Sequence, residues 1–394
     1  MECDSEGIAQ QIDRPQGRQG HGMASAATVD SAAVRCLIGC GANLGCRREQ
    51  LDQAIDILRF MPGINLLEVS RFIETRPIGG PPGQPAFLNA ACLIETSFGP
   101  EDLMAMLTAV ENTLDRRRDQ RWGPRSIDLD LLLHGDRVVE NDRLQLPHPR
   151  MTTRRFVLEP AAEIAPELEH PLAGCTIGAL LENISQRHLH VAVVGVPGSG
   201  CPEIAAAVAD VTLARLLHAP TPLPSGSDPE ATTAASWQQT LSRYAAPLKR
   251  STWPTDPHGT VADYWLQTVR LAAGRQLDGS DREGLLAACD RLAGETVPPH
   301  VVLFLEISRT ALEERIRFRS KPPHRSDVFA DLAEPRSSAE VSSEAEGLLE
   351  LQADLRACLC DRGYGPRPKA VIRLDADDLG RSALEAVAAI EAIS

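Results

Sequence analysis

The feature that most constrains the fold is the run 127–133, an apolar stretch that carries two acids, Asp128 and Asp130. Side chains alternate between the faces of a β-strand, so the two carboxylates share one face and the apolar residues around them share the other. The acids would stand about 7 Å apart along such a strand. Two acids in a core-type strand are costly unless a cation or hydrogen bonds compensate them. The pattern therefore predicts either a cation site or an edge strand whose acidic side faces water.

The residues just before this run favour the cation site. Residues 121–125 read Arg-Trp-Gly-Pro-Arg. Arginine carries a planar guanidinium that stays charged and suits phosphate oxygens. A basic turn leading into two acids on one strand face is typical of a site where a metal ion and a phosphate meet.

Composition restricts the class of partner. The chain has 394 residues, enough for two domains, and a formal net charge of −14. That charge argues against a nucleic acid or an anionic membrane as the main partner. The ten cysteines show no metal-binding spacing, as expected for reduced thiols, and no apolar run reaches the length of a membrane span. We expect a cytoplasmic protein.

The order of elements predicts two domains after a disordered leader, residues 1–32. Residues 33–184 read as β-α-β-β-α-β, with a second strand at 64–72 and a Gly/Pro loop at 74–86. This order predicts an α+β ferredoxin-like sandwich, an antiparallel sheet with helices on one face. A composition shift at 183–188 marks a linker.

Residues 188–394 alternate strands with helices, which predicts a mostly parallel α/β sheet of three layers. The first strand, from residue 190, leads into Gly195-Val196-Pro197-Gly198-Ser199-Gly200-Cys201-Pro202. This is the frame of a phosphate-binding loop in which Cys201 replaces the lysine and Pro202 the hydroxyl residue. We predict helix to about residue 217 and mostly helix over 234–275.

Residues 35–184 resemble the 6-hydroxymethyl-7,8-dihydropterin pyrophosphokinases of folate synthesis. The resemblance rests on several motifs in order: Gly41 to Gly45, Glu74-Thr75, Gln84 to Asn89, Arg121 to Leu133, Leu146-Pro147-His148 with Met151, and Arg154 to Leu158.

The resemblance implies transfer of a diphosphate from ATP to the pterin hydroxymethyl group, with release of AMP. It implies that Asp128 and Asp130 hold two Mg²⁺ ions that bridge the ATP phosphates. Small-molecule substrates, ATP and the dihydropterin, are the implied partners. The remaining implied roles are catalytic for Arg116, Arg118 and Arg125, ATP-binding for Glu111, Trp122, Arg143, His148 and Arg154, and pterin-binding for Thr75, Ile78, Phe87, Asn89 and Phe156.

Each of these residues also has a plain structural interpretation. The two phenylalanines could be core, the arginines at 116–118 a solvated helix end, and His148 and Asn89 turn residues. Asp115 and Arg76 depart from the pattern of the family. Only the joint occurrence of the motifs favours the functional interpretation.

Residues 188–394 resemble a deoxynucleoside-kinase-like P-loop domain, on the damaged loop, on Ala262-Asp263-Tyr264-Trp265 and on the basic segment 313–321. Because the lysine and hydroxyl are missing, we expect weak or no kinase activity and a structural or regulatory role. Two alternatives stay open: a bifunctional enzyme that also phosphorylates deoxynucleosides, and a non-catalytic nucleotide-binding scaffold.

Overall fold

The computed structural model describes residues 33–79, 81, 83–114, 126–224, 232–253, 256–318, 337–360 and 368–393. The predicted leader, residues 1–32, lies outside these ranges. Residues Ala33–Ser394 cluster as one compact unit. We call residues 33–184 the N-terminal part and residues 188–394 the C-terminal part.

The N-terminal part contains nine strands and four α-helices among its described residues. They are β1 (Val34–Ala42), α1 (Arg47–Phe60), β2 (Ile64–Val69), β3 (Ile73–Thr75), β4 (Phe87–Thr96), α2 (Pro100–Thr113), β5 (Asp128–His134), β6 (Val139–Glu140), β7 (Gln145–Leu146), α3 (Arg155–Ile164), β8 (Glu169–His170), β9 (Cys175–Thr176) and α4 (Ile177–Ile184).

The main sheet of the N-terminal part is antiparallel. Its strands run in the order β2-β4-β1-β5, and the short β3 also pairs with β4. One face of β1, β4 and β5 packs with α1 and α2, through residues such as Ile38, Leu51 and Leu107. The opposite face packs with α3, through residues such as Leu37, Leu132 and Leu158. Helices therefore lie on both faces of this sheet, whereas the sequence predicted one face.

The C-terminal part is built on a parallel sheet. Its described elements are β10 (His190–Val194), α5 (Cys201–Thr212), β11 (Arg215–Leu217), α6 (Ala234–Ala245), β12 (Thr260–Ala262), α7 (Leu266–Gly274), α8 (Gly279–Glu295), β13 (Val301–Glu306), α9 (Arg309–Phe318), α10 (Ser338–Cys360), β14 (Ala370–Asp375) and α11 (Leu379–Glu391).

The strands of the parallel sheet run in the order β11-β12-β10-β13-β14. Its central strands are mostly apolar and buried: β10 is buried along its whole length, with His190 as its one polar residue, and β13 is buried up to Leu305. This is the pattern of a parallel sheet that is covered on both faces. The prediction of a mixed α/β chain with a parallel sheet is confirmed.

The cores of the two parts are continuous. One cluster of buried residues runs from Leu37 and Leu132 of the antiparallel sheet, through α3 and α4, to Val193 and Phe304 of the parallel sheet. Asn183, in the predicted linker, belongs to α4 and donates its Nδ2 to the backbone oxygen of His300 at 2.8 Å.

Several predicted boundaries were wrong. The strand predicted at 64–72 ends at Val69, and β3 follows separately. The helix predicted to residue 217 ends at Thr212, and β11 follows it. The stretch 234–275, predicted to be mostly helical, contains β12. Among the helices of the described ranges, none has both the length and the apolarity needed to cross a membrane.

Candidate active site

An open pocket of roughly 820 Å³ lies on the α3 face of the antiparallel sheet. It is lined by β1, β3, β4 and β5, by the loop after β3, and by the first turn of α3. Eight residues that the sequence predicted for the site line this pocket: Thr75, Ile78, Phe87, Asn89, Asp128, Asp130, Arg154 and Phe156.

The two acids of β5 face the pocket. Both are partly exposed, while Leu129 between them is buried in the opposite core. The neighbouring strand β1 places Gly41 opposite Asp128 and Gly39 opposite Asp130. Because these partners have no side chains, the sheet surface beside the carboxylates stays open. The strand periodicity thus predicted correctly which face the acids occupy.

Asn89 continues the same row across the sheet. It pairs with Gly41 on the far side from Asp128 and is buried. Its Nδ2 donates to the Oγ1 of Thr75 at 2.8 Å, which fixes the orientation of the amide. A Cβ on Gly41 would stand 3.1 Å from the Oδ1 of Asn89. The row therefore presents a carboxylate and an amide with open backbone between them.

Aromatic side chains border the pocket from two sides. Phe87 begins β4 opposite Thr75, and Phe156 comes from the first turn of α3. The guanidinium carbon of Arg154 lies 5.5 Å from the centre of the Phe156 ring, within the range of a cation–π contact. Both rings are partly exposed, so neither is plain core.

The loop after β3 is tied to α1. Arg47 donates Nη1 to the backbone oxygen of Ala86 at 2.7 Å and Nη2 to the Oε2 of Glu74 at 3.0 Å. These bonds hold both ends of the loop that supplies Ile78 to the pocket.

Three predicted nucleotide contacts do not line this pocket. Glu111 is buried, and its Oε1 accepts the backbone N–H of Leu129 at 2.7 Å, between the two acids. Arg143 is exposed in the turn between β6 and β7. His148 is partly exposed, and its backbone N–H donates to the oxygen of Leu132 at 2.9 Å.

The pKa of His148 is lowered to about 3, first by desolvation and then by the charges of Arg154 and Arg150. Its imidazole is therefore neutral at neutral pH. Any contact it makes to a phosphate or a base is a hydrogen bond, without the attraction of a cation.

The predicted residues Arg116, Arg118, Trp122 and Arg125 lie outside the described residues, and their roles stay predictions. Sequence reasoning did not assign a role in the pocket to Gly39, Gly41, Arg76 or Gln84, which also line it. Glycines opposite acids on a neighbouring strand become visible only when the register is known. Arg76 stood out in the sequence only as a departure from the family.

The second glycine loop joins β10 to α5, with Gly198 and Gly200 at φ 96° and 97°. The thiol of Cys201 is buried, and burial raises its pKa to about 12. Arg315 donates Nη1 to the oxygen of Gly198 at 3.0 Å and also bonds the backbone oxygen of Ala376. The loop thus keeps its turn, but a neutral thiol stands where a lysine charge would be needed.

Comparisons with known proteins cover mainly the N-terminal part. The model of the family 7,8-dihydro-6-hydroxymethylpterin-pyrophosphokinase (HPPK) matches residues 37–166. A 2-amino-4-hydroxy-6-hydroxymethyldihydropteridine pyrophosphokinase of Synechocystis sp. is 40% identical over 148 residues, which are 38% of this chain and 75% of that protein. The Pseudomonas aeruginosa protein of the same name is 41% identical over 137 residues, 35% of this chain and 84% of its own length.

Among solved structures, a deoxyadenosine kinase from M. mycoides overlaps 50% of this chain and 95% of its own. The TM-score is 0.35 and the sequence identity 14%. We therefore describe the fold of the C-terminal part from the order of its own strands, without using this similarity.

Proposed function

The chain belongs to the 7,8-dihydro-6-hydroxymethylpterin-pyrophosphokinase family, and we propose that its N-terminal part transfers a diphosphoryl group from ATP to 6-hydroxymethyl-7,8-dihydropterin in folate synthesis. The observation that carries this proposal is the pocket itself. It brings the carboxylates of Asp128 and Asp130 together with an amide, Asn89, and with two aromatic rings, Phe87 and Phe156.

The proposal keeps the predicted division of the chain. Residues 33–184 are the pyrophosphokinase domain, a ferredoxin-like sandwich with the additional helix α3 on its open face. Residues 188–394 are a P-loop kinase-like domain of three layers, with a damaged loop and a non-catalytic role. The parallel order β11-β12-β10-β13-β14, with the glycine loop directly after β10, supports this assignment.

The aromatic end of the pocket suits the pterin. A flat heterocycle packs well between aromatic rings, and we assign Phe87 and Phe156 to its two faces. Asn89, oriented by Thr75, offers one amide oxygen and one remaining N–H to the polar edge of the ring. Ile78 and the backbone near Thr75 complete this side.

The acidic end suits Mg²⁺. The described ranges contain no group of three or more His, Cys, Asp or Glu side chains that could hold a metal alone. A pair of carboxylates on an open strand face still fits, because Mg²⁺ prefers oxygen ligands and keeps several waters or phosphate oxygens. We assign Asp128 and Asp130 to it, and two ions is our expectation. When bound, Mg²⁺ neutralises charge on the phosphate oxygens.

In the proposed reaction the pterin hydroxyl oxygen attacks the β-phosphorus of ATP. The new O–P bond forms as the bond from the β-phosphorus to the oxygen of the α-phosphate breaks, and AMP leaves. The residues of this chain mainly position the two substrates, which carries much of the rate in phosphoryl transfer. We assign Arg154 to the nucleotide side, together with Glu111, Arg143 and His148 as outer contacts, and with Arg116, Arg118, Trp122 and Arg125.

The test is the nucleotide product. The protein incubated with dihydropterin, ATP and Mg²⁺ should form one AMP per pterin diphosphate, measured by chromatography. Asp128→Ala and Asp130→Ala should each reduce this rate by at least about 100-fold, the scale on which charge-stabilising groups contribute. Asp102→Asn, an exposed aspartate in the first turn of α2, is the matched control and should retain the rate.

Three outcomes would change the assignment. ADP as the product would contradict diphosphoryl transfer. Phosphorylation of deoxynucleosides that survives in Asp128→Ala would support the bifunctional alternative. Binding of ATP without turnover of either substrate would support the scaffold.

A further inference from the structure

The wall of the pocket that carries Arg154 and Phe156 is attached to the C-terminal part of the chain. Residues 150–157, which we call the strap, run from the end of the loop that follows β7 into the first turn of α3. Three of them, Arg154, Phe156 and Val157, line the pocket. The strap packs on its other side against α11, the last helix described.

The first attachment is at Arg155. Its backbone N–H donates to the oxygen of Ala392 at 2.8 Å, and its Nε donates to the oxygen of Ile393 at 2.8 Å. Its Nη1 also reaches the Oγ of Ser185, at 3.3 Å. Arg155 therefore lies between two residues that touch the pocket and holds the end of a helix from the other part of the chain.

This attachment satisfies groups that helices leave without partners. The last carbonyls of α11 have no N–H donor within their own helix, and the first N–H groups of α3 have no acceptor within theirs. Where the two ends meet, the backbone oxygen of Ala392 accepts the first N–H of α3, that of Arg155, and the partly negative end of α11 lies at the partly positive end of α3. The contact is thus specific in direction as well as in position.

The second attachment is at Arg150. Its Nη2 donates to the Oε2 of Glu385 in the middle of α11, at 2.9 Å. The Glu385 side chain is only 10% exposed, and Arg381 approaches its other oxygen. The strap is therefore attached to α11 at Arg150 and to the end of α11 at Arg155, and residues 151–153 between these two points are buried.

Helix α11 is itself fixed at its start. Asp378 caps its first turn by accepting the N–H of Arg381 at 3.0 Å. Leu379 packs on Gly200 of the glycine loop so closely that a Cβ there would stand 2.3 Å from its methyl carbon. The thirteen residues of α11 thus span about 20 Å between that loop and the strap.

We propose that α11 sets the position of the strap, and through it the wall that binds the pterin, with Arg155 as the positioning residue. This inference rests on the proposed function. It gives the C-terminal part a role that needs no phosphate chemistry of its own. The pterin ring is held correctly only while the end of α11 holds Arg155.

The test compares pterin binding and turnover in three variants of the full chain. Arg155→Ala should raise the KM and the equilibrium Kd for dihydropterin about tenfold, the effect expected when bonds from a charged donor are lost. The kcat at saturating pterin should fall by less. Arg155→Lys keeps the positive charge and a donor nitrogen, and should recover much of the affinity.

Glu385→Gln, which keeps the shape of the second attachment but removes its charge, should shift the pterin Kd in the same direction by a smaller factor. This variant also carries the test if Arg155→Ala does not fold.

The matched control is Arg71→Ala. Arg71 donates its Nε to the Oε2 of Glu163 at 3.0 Å, near the other end of α3 from Arg155. It should leave the pterin Kd within about twofold, as expected for an exposed ion pair. Thermal unfolding of all variants measures any general loss of stability.

The possible results distinguish a failure of the proposed function from a failure of the positioning role of α11. A wild-type protein that binds no pterin would contradict the proposed function. A wild type that binds pterin, together with Arg155→Ala and Glu385→Gln that bind it equally well, would overturn the inference alone. An equal loss of affinity in Arg71→Ala would also overturn it, because the effect would then follow from any damage to α3.

Discussion

At the scale of single residues, Gly41 sits at the centre of the site without contributing a side chain. It lies between Asp128 and Asn89 in the row across the sheet. Its backbone is extended, so an alanine would meet no conformational penalty there. What an alanine would change is the space above the sheet, where the substrates are expected to lie.

We therefore expect Gly41→Ala to fold normally and to lose at least about tenfold in kcat/KM, because the new methyl group presses on the amide of Asn89. Gly39→Ala should lose less, since the nearest atoms to its Cβ would be side-chain carbons of Leu132, at 3.4 Å and beyond. Steady-state kinetics and thermal unfolding measure the two effects. A larger loss of kcat/KM in Gly39→Ala than in Gly41→Ala would contradict the expected position of the substrates above Gly41, between Asp128 and Asn89.

His148 leads to a prediction about pH. Its pKa in the folded protein is about 3, against an ordinary value of about 6.5 in an unfolded chain. Between these values the unfolded state binds more protons, so acid favours unfolding through this residue. Stability should fall as the pH drops below about 6.5, and the fall should continue towards pH 3.

His148→Gln should make the dependence of the melting temperature on pH shallower between pH 7 and pH 4. The glutamine cannot bind the proton that His148 takes up in the unfolded state. Calorimetry over this range measures the slope. His170 and His190, whose pKa values are lowered to about 4 by burial, should leave part of the slope in place. An unchanged slope in His148→Gln would contradict an imidazole that stays neutral in the folded protein.

At the scale of elements, the glycine loop and α11 form one packing unit. Gly200 has φ 97°, a conformation that other residues rarely adopt, and it receives the side chain of Leu379. The backbone conformation and the packing of Leu379 thus require a glycine at position 200, whether or not a phosphate binds to the loop. Gly200→Ala should destabilise the protein by about 2 kcal/mol or more, from strain and from the clash with Leu379.

Gly347→Ala is the matched control. Gly347 lies inside α10, and a Cβ there would meet nothing within 4 Å. Replacing it should stabilise the protein by about 0.5–1 kcal/mol, because alanine loses less entropy in a helix. Unfolding in urea measures both. A neutral Gly200→Ala would show that α11 is not seated on the loop as described.

The elements also show how far the sequence could predict this fold. The period of two around Asp128 was sufficient to identify β5 and its faces, because alternation is local. Strand β12 was missed because it has three residues, all buried, and no alternation to detect. The end of α5 was missed because Leu213, at φ 58°, takes a left-handed conformation that its side chain does not suggest.

The site divides in the same way. Residues that belong to sequence motifs, such as Asn89 and Phe156, were predicted to lie together, and they line one pocket. The contacts that fix them could not be predicted, because they depend on distant partners. Arg155 reads as an ordinary basic residue until the carbonyls of Ala392 and Ile393 are seen beside it.

At the scale of the whole molecule, four charges join the two-stranded β6-β7 sheet of the N-terminal part to the C-terminal part. Glu140 of β6 accepts from Arg356 and Arg373, and Glu306 of β13 accepts from the same two arginines. Hydrogen bonding to Arg373 is the main reason why the pKa of Glu140 is lowered. A lowered carboxyl pKa stabilises the fold above its ordinary value, about 4.3, and that contribution is lost as the pH falls.

Glu140→Gln should lower the free energy of unfolding by about 1 kcal/mol, since the group is partly exposed but belongs to a network. The loss should shrink at high salt, where such charges are screened. Glu346→Gln, which breaks an exposed pair with Arg309 and leaves Arg309 paired with Glu313, should have almost no effect. Urea unfolding at two salt concentrations tests both, and equal effects of the two variants would contradict a stabilising charge network between β6 and the C-terminal part.

The contact between the end of α11 and the start of α3 has a consequence for the evolution of this sequence. A substitution at position 201 of the glycine loop need not disturb the packing of Leu379 on Gly200 or the bonds from Arg155 to the carbonyls of Ala392 and Ile393, because Cys201 takes part in neither. Selection for folate synthesis alone would tolerate such a change, yet it would reject changes that move α11. Under the proposed positioning role, residues 188–394 can therefore change their loop side chains over generations while α11 keeps its place, since the pocket depends on that helix.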